Sequence, residues 1–236
     1  MTVLKKAILP VALLTLITIA PLTAEARKAR KPKPQPSPAV ERNVSGQFDF
    51  YALALSWSPD YCATKGGRDP QQCAQGKQLG FVLHGLWPQY DRGWPANCTN
   101  EAFDPSMRQK FPGLYPSAKL YEHEWEKHGT CSGLSQEGYH QLSAAMKAAV
   151  AIPSNYQKPT KPFRTTIAML KQDFAVANPG MSVDGVAPSC SGSGRFLQEV
   201  LVCRSKDGTP GTCSAEMLRR SQKSCGQADF LVRSVR

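Results

Sequence analysis

Two of the four histidines in the 236-residue chain lie five residues apart, in Tyr121-Glu122-His123-Glu124-Trp125-Glu126-Lys127-His128-Gly129-Thr130-Cys131. Imidazoles titrate near neutrality, so one can accept a proton while another donates one. A carboxyl group, Glu124, and an ammonium group, Lys127, stand between them. On a helix advancing about 100° per residue, Lys127, Glu124 and His128 fall roughly 40°, 100° and 140° around from His123. Four proton-handling side chains then share one side, while Trp125 and Glu126 point away and Trp125 can anchor the helix in a core. Gly129 is placed to end the helix in a left-handed cap, and Cys131 to tie that end down. A zinc helix of the H-E-x-x-H kind needs histidines at i and i+4, nearly superposed. The spacing of five swings the second ring about 140° away, so no metal site is expected.

The third histidine stands in Gly80-Phe81-Val82-Leu83-His84-Gly85-Leu86-Trp87-Pro88-Gln89. The apolar run Phe81 to Leu83 predicts a short buried strand that delivers His84 at its end, where Gly85 lets the backbone turn. Alone, such a histidine reads as a core residue. Beside the first segment it becomes one half of an acid–base couple. His140, the fourth, matches no such pattern and is read as structural or exposed.

Together the two stretches resemble the active-site segments of the ribonuclease T2 family. The first matches as His84-Gly85-Leu86-Trp87-Pro88, the second as His123-Glu124-Trp125 followed by Lys127-His128-Gly129-Thr130-Cys131. Leu55-Ser56-Trp57-Ser58-Pro59, followed by Tyr61-Cys62, is similar to the family's first core strand. The resemblance covers roughly residues 46 to 236 and implies a metal-independent endoribonuclease with no cofactor, acting on single-stranded RNA. RNA brings its own nucleophile, the ribose 2′-hydroxyl. The enzyme must supply a base for that proton, an acid for the leaving 5′-oxygen and cations for the phosphorane.

By the family's matching positions, His128 is the base and His84 the acid. His123 holds the phosphate, and Lys127 and Glu124 stabilise the transition state, Lys127 by its charge. Glu124 either acts protonated or orients Lys127 and a histidine. The product would be a 2′,3′-cyclic phosphate, slowly hydrolysed to a 3′-phosphate. Trp87 reads equally as a platform for a base or as core packing. Some family members carry an aspartate where this chain has Gln89, a side chain able to accept and donate. Broad base acceptance is therefore expected, with Tyr90 and Asp91 as further contacts. Two other classes stay open on the residues alone: a metallohydrolase built on His123, Glu124 and His128, and a noncatalytic secreted RNA-binding module.

Around these segments the chain falls into three parts. Residues 1–26 carry Lys5 and Lys6, an uncharged apolar run from Ala7 to Ala20, and Ala24-Glu25-Ala26. This is the pattern of a secretory signal peptide cleaved after about Ala26. The run is too short to span a membrane comfortably. The mature protein is thus expected to be soluble, monomeric, and secreted or periplasmic. Residues 27–45 begin Arg27-Lys28-Ala29-Arg30-Lys31-Pro32-Lys33-Pro34, a basic, proline-rich arm that cannot bury enough apolar surface to fold. The formal net charge is +11, of which the arm supplies five. The remaining domain is only moderately basic. That excludes the dense positive face of a tight nucleic-acid binder and suits an enzyme that releases its products.

Residues 46–236 are enough for one domain with a core. A central strand is predicted over 48–57, apolar on both faces, and an irregular excursion over 88–114. The histidine-bearing helix is predicted from near Ser117. A second helix runs from a Ser135 cap to about Ile152, with Tyr139, Leu142, Met146 and Val150 inward. A third covers 165–178, with Ile167, Leu170 and Phe174 inward. Strands are predicted over 196–203 and 230–235. Helices in the middle and strands at both ends predict an α+β fold, a central antiparallel sheet with helices packed on it. Eight cysteines behind a signal peptide predict four disulfides. Spacing leaves 105 pairings open; the family resemblance implies Cys62–Cys73, Cys98–Cys131, Cys190–Cys225 and Cys203–Cys213. Asn43-Val44-Ser45 and Asn97-Cys98-Thr99 are formal glycosylation sequons and carry no functional weight.

Overall fold

The computed structural model describes residues 43–65 and 68–235. The signal segment and most of the basic arm lie outside the described residues. In chain order the elements are β1 (Phe50–Trp57), α1 (Ser58–Lys65), α2 (Pro70–Cys73), β2 (Phe81–Gln89), α3 (Met107–Lys110), α4 (Ala118–Lys127), α5 (Gln136–Ala148), β3 (Phe163–Thr165), α6 (Ile167–Ala177), β4 (Val186–Ser191), β5 (Phe196–Arg204), α7 (Ala215–Ser224) and β6 (Phe230–Val232). The strands form one sheet in the order β2-β1-β5-β6-β3, with β4 paired to β5. The fold is α+β. The sheet is antiparallel except where β5 meets β6, a parallel contact at Phe196 and Leu231.

β1 is flanked by β2 and β5, and its alternation decides what lies on either side. Tyr51, Leu53, Leu55 and Trp57 enter the main core with Leu83, Leu86, Trp125, Tyr139, Leu170, Phe174 and Phe230. Phe50 and Ala52 face the other way, into a smaller cluster with Ala187, Cys203, Cys213 and Met217 of α7. The sequence did not announce α7, β3 or β4. Ser214 caps α7 by accepting from the Met217 N–H, but the helix is strongly polar and packs only through residues such as Met217 and Ser221.

The helices are set by capping and by one apolar stripe each. Ser135 accepts from the Gly138 N–H to start α5, and Thr166 accepts from the Met169 N–H to start α6. α5 ends at Ala148 rather than near Ile152, although Val150 still packs in the core. The last strand also stops early, at Val232. The four disulfides are Cys62–Cys73, Cys98–Cys131, Cys190–Cys225 and Cys203–Cys213. Among the described residues no helix is long and apolar enough to cross a membrane.

Candidate active site

β2 delivers His84 by a different device from the turn expected at Gly85. The strand runs on through Gly85 to Gln89. Ala54 pairs with Gly85 and Leu55 with Leu83, so His84 is the extra residue of a β-bulge. In a regular strand, residues three apart point to opposite faces. The bulge cancels one step: Leu83 and Leu86 both enter the core, and His84 and Trp87 both line the cleft. Gly85 is required by close approach. A Cβ there would lie 1.8 Å from Glu124 Oε2 and 2.4 Å from Trp87 Nε1.

α4 presents the second segment. Trp125 is buried and donates its Nε1–H to Glu101 O at 3.1 Å. The C-terminal end is held from outside the helix. The Asn97 N–H donates to Lys127 O at 3.0 Å, and the Cys98 N–H to Thr130 Oγ1 at 3.1 Å. The Cys98–Cys131 bridge closes a separation of 33 residues, which constrains the unfolded chain by about 3–4 kcal/mol in the loop-entropy account. Gly129 does not form the expected left-handed cap. The helix ends at His128 (φ −120°, ψ −45°), and Gly129 opens a 3-10 turn to Cys131. Its lack of a side chain is needed because a Cβ would come 2.4 Å from Trp125.

The structure brings His84, Trp87, Gln89, His123, Glu124, Lys127 and His128 to one cleft of about 400 Å³. Trp87 links three of them. Its ring meets His84 edge-on with centroids 5.1 Å apart and stacks on His128 at 5.2 Å, and its Nε1–H donates to Glu124 Oε2 at 2.8 Å. It is therefore neither plain core nor an open platform, since His128 covers one face. Gln89 is buried and donates to Pro88 O at 2.9 Å. Tyr90 also lines the cleft. Asp91 is exposed, and its N–H donates to Asp49 Oδ2. His140 is structural rather than exposed: it is buried, stacks on both Phe111 and Tyr121, and donates Nδ1–H to Gln136 O at 2.7 Å.

The three histidines of the cleft meet different electrostatics. His128 is 5% exposed, and its Nδ1 has no partner among the described residues. Burial, then the positive charge of Lys127, His123 and His84, pushes it down to about 2. It is neutral at pH 7. Burial also works against a charged His84, but the Glu199 hydrogen bond and the carboxylates of Glu199 and Glu124 outweigh it and hold His84 above the usual histidine value. His123 is lowered by burial and by Lys127 and His84. Glu124 is fully buried, with Oε1 3.8 Å from His84 Nε2, and burial pushes it up to about 7. A neutral imidazole, an imidazole whose cationic form is favoured and a carboxyl able to keep its proton thus face one cavity. Such a set can move one proton in each direction in a single turnover.

Sequence reasoning missed Glu199, whose Oε1 lies 2.8 Å from His84 Nδ1. A lone acidic residue inside the apolar strand Phe196-Leu197-Gln198-Glu199-Val200-Leu201 was the signal, because a carboxylate is rarely placed there without a partner. It also missed the far wall, where Trp94 and the α7 residues Glu216, Met217 and Arg220 line the same cleft. Arg220 lies over the Trp94 ring, 4.8 Å from its centroid, and pairs with Glu216. Among the described residues no group of three or more His, Cys, Asp or Glu side chains is arranged to hold a metal ion.

The sequence profile of the Ribonuclease T2 family matches residues 48–213. A ribonuclease of Aeromonas hydrophila is 48% identical over 215 residues, covering 85% of this chain and 93% of that one. The intracellular ribonuclease LX of Solanum lycopersicum is 39% identical over 119 residues, covering 44% of this chain and 49% of that one. Among solved structures, ribonuclease MC1 from the seeds of bitter gourd superposes with a TM-score of 0.55 at 25% identity, over 69% of this chain and 92% of that one.

Proposed function

The chain belongs to the ribonuclease T2 family and is an endoribonuclease of that type; from this premise we propose that it cleaves single-stranded RNA by metal-independent transphosphorylation. The observation that carries the proposal is geometric: His84 and His128 line one cleft and both pack on Trp87, with centroids 5.1 Å and 5.2 Å from it. His128, held neutral, is suited to take the 2′-hydroxyl proton. His84, held above its usual value, is suited to give a proton to the leaving 5′-oxygen. The O2′–P bond forms as the P–O5′ bond breaks. His128 gains the proton that the nucleophile loses, and His84 supplies the one that the leaving group takes. The product is a 2′,3′-cyclic phosphate. In a slower second step the roles exchange: His84 activates water, and His128 returns its proton to O2′, leaving a 3′-phosphate.

Lys127 and His123 would steady the phosphate. Glu124 is proposed to act as a neutral acid: its Oε2 is engaged by Trp87, and its Oε1 can donate to a non-bridging phosphate oxygen where negative charge develops. Gln89 commits one amide N–H to Pro88 O and keeps its second N–H and its carbonyl oxygen for a base, which fits broad rather than strict base preference. The four disulfides fit an exported protein. We further propose a signal peptide over 1–26, a basic arm over 27–45, a catalytic domain over 46–236, and a monomer as the working form.

The test is cleavage of a single-phosphodiester RNA dinucleotide by the oxidised protein in excess EDTA, with products identified by mass. A 2′,3′-cyclic phosphate is expected. Cleavage lost in EDTA and restored by zinc would replace the mechanism with a metal-dependent one. Binding of RNA without cleavage under either condition would favour a noncatalytic module.

A further inference from the structure

Three strands converge beneath His84. On the cleft side of β1 the residues are small: Ala52 pairs with Trp87 and Cys203, and Ala54 with Gly85 and Leu201. Ser56 pairs with Glu199 of β5. His84 can therefore reach across β1 to a side chain two strands away. Glu199 Oε1 accepts twice, from His84 Nδ1–H at 2.8 Å and from Ser56 Oγ–H at 2.9 Å. The Glu199 side chain is 13% exposed, and His84 is its ion-pair partner among the described residues. His84 itself is the unpaired residue of a bulge, so the ladder leaves its ring orientation to be fixed by side-chain contacts.

We propose that Glu199 is a positioning residue for the acid step: it accepts Nδ1–H of His84, fixes the tautomer, and turns a protonated Nε2 toward the leaving 5′-oxygen. This rests on the reading of His84 as the acid. A carboxylate can take Nδ1–H only if that nitrogen carries the proton. Nε2 then faces the cleft, on the side where Glu124 Oε1 stands 3.8 Å away. Ser56 holds the carboxylate oxygen in place from the intervening strand. The charged and titratable groups facing His84 come from two other elements. Glu199 on β5, and Glu124 on α4 when ionised, favour its cationic form, and Lys127, with His123 and His128 when charged, opposes it.

Glu199→Gln keeps size and acceptor but removes the charge. With the RNA dinucleotide as substrate and the oxidised full chain as enzyme, kcat should fall about 10- to 100-fold with KM changed less than about twofold. The His84 titration seen by NMR should move down by about one pH unit, and the alkaline limb of the kcat/KM profile, which Glu124 shares, should move in the same direction by no more than that. Glu199→Asp should return the limb toward the parent position. Ser56→Ala should move it the same way as Glu199→Gln, by less. A Glu199→Gln enzyme in which His84 titrates as in the parent overturns the proposal, even if kcat and Tm both fall, because that is the signature of a merely structural contact. Should Glu199→Gln not fold, His84 titrating at or below the ordinary histidine value in the parent protein overturns it equally. His84→Ala separates the two readings. If that variant still cleaves, the acid assignment itself fails; if it is dead while Glu199→Gln is unshifted, only the role of Glu199 fails.

Discussion

Tyr51, Leu53, Leu55 and Trp57 fill one face of β1; Phe50, Ala52, Ala54 and Ser56 make the other. Both faces are largely out of solvent, and Ala52 and Ala54 are as completely covered as Leu53. Burial therefore does not separate core from site; beneath His84 and Trp87 the small volume of Ala52, Ala54 and Ser56 does. The large face meets other large apolar side chains in a close-packed core. On the side of the small face, α4, β2, β5 and α7 ring a cleft with ionisable groups. The perturbed protonation of His84, His128 and Glu124 arises there, where low dielectric and unequal partners act together.

If the two faces divide function from stability in this way, variants should separate cleanly between them. His128→Ala should lower dinucleotide cleavage by about 10²- to 10⁴-fold with a Tm close to the parent's. A variant that melts early and still cleaves would erase the distinction. On the other face, Leu53→Ala should cost about 2–5 kcal/mol in denaturant unfolding, with kcat unchanged below the transition.

Glu124→Gln tests the cost of keeping a carboxyl in the small face. Its folded value of about 7 lies above that of an unfolded carboxyl. The stability it contributes is present at acid pH and lost as pH rises through about 7. The variant should match the parent near pH 4 and exceed it at pH 8, by about 3 kcal/mol, while losing activity at every pH. A constant stability difference across that range would show that Glu124 is not held neutral.

Gly85→Ala sits where the two faces meet the helix. The added Cβ displaces the Glu124 carboxylate from Trp87. Activity should drop about tenfold with a smaller change in Tm, since a flexible side chain gives way before backbone does. The mildest test is the pH profile of the parent. His84 must be charged and Glu124 protonated to act as proposed, so activity should decline as pH rises through about 7 and through the raised value of His84. His128 stays neutral down to about 2, so the fall on the acid side should be shallow. A profile that instead falls steeply below pH 6 would mean that His128 gains a proton more readily than its surroundings imply.

Much of the site was legible because histidine is rare in the chain and its neighbours are informative. The spacing of His123, Glu124, Lys127 and His128 placed them on one side of α4, and Trp125 on the other, through helical periodicity alone. The glycines were read correctly as special and given the wrong reason. Gly85 and Gly129 are not turn or cap residues; each makes room for a large side chain that the sequence does not place beside it. His140 could not be assigned from its neighbours in sequence, because the rings that enclose it come from residues 111 and 121.

Local chemistry and periodicity thus determined the residue types, the α+β class and the two histidine segments, because these depend on neighbours a few positions apart. The pairing of His84 with Glu199 is separated by 115 positions and depends on a bulge, on three strands in register and on small residues between them. So does the contrast between His128, lowered and neutral, and His84, raised toward its cationic form. Protonation follows from burial and from the distance to each carboxylate, and those distances exist only once the strands and α4 have closed around the cleft.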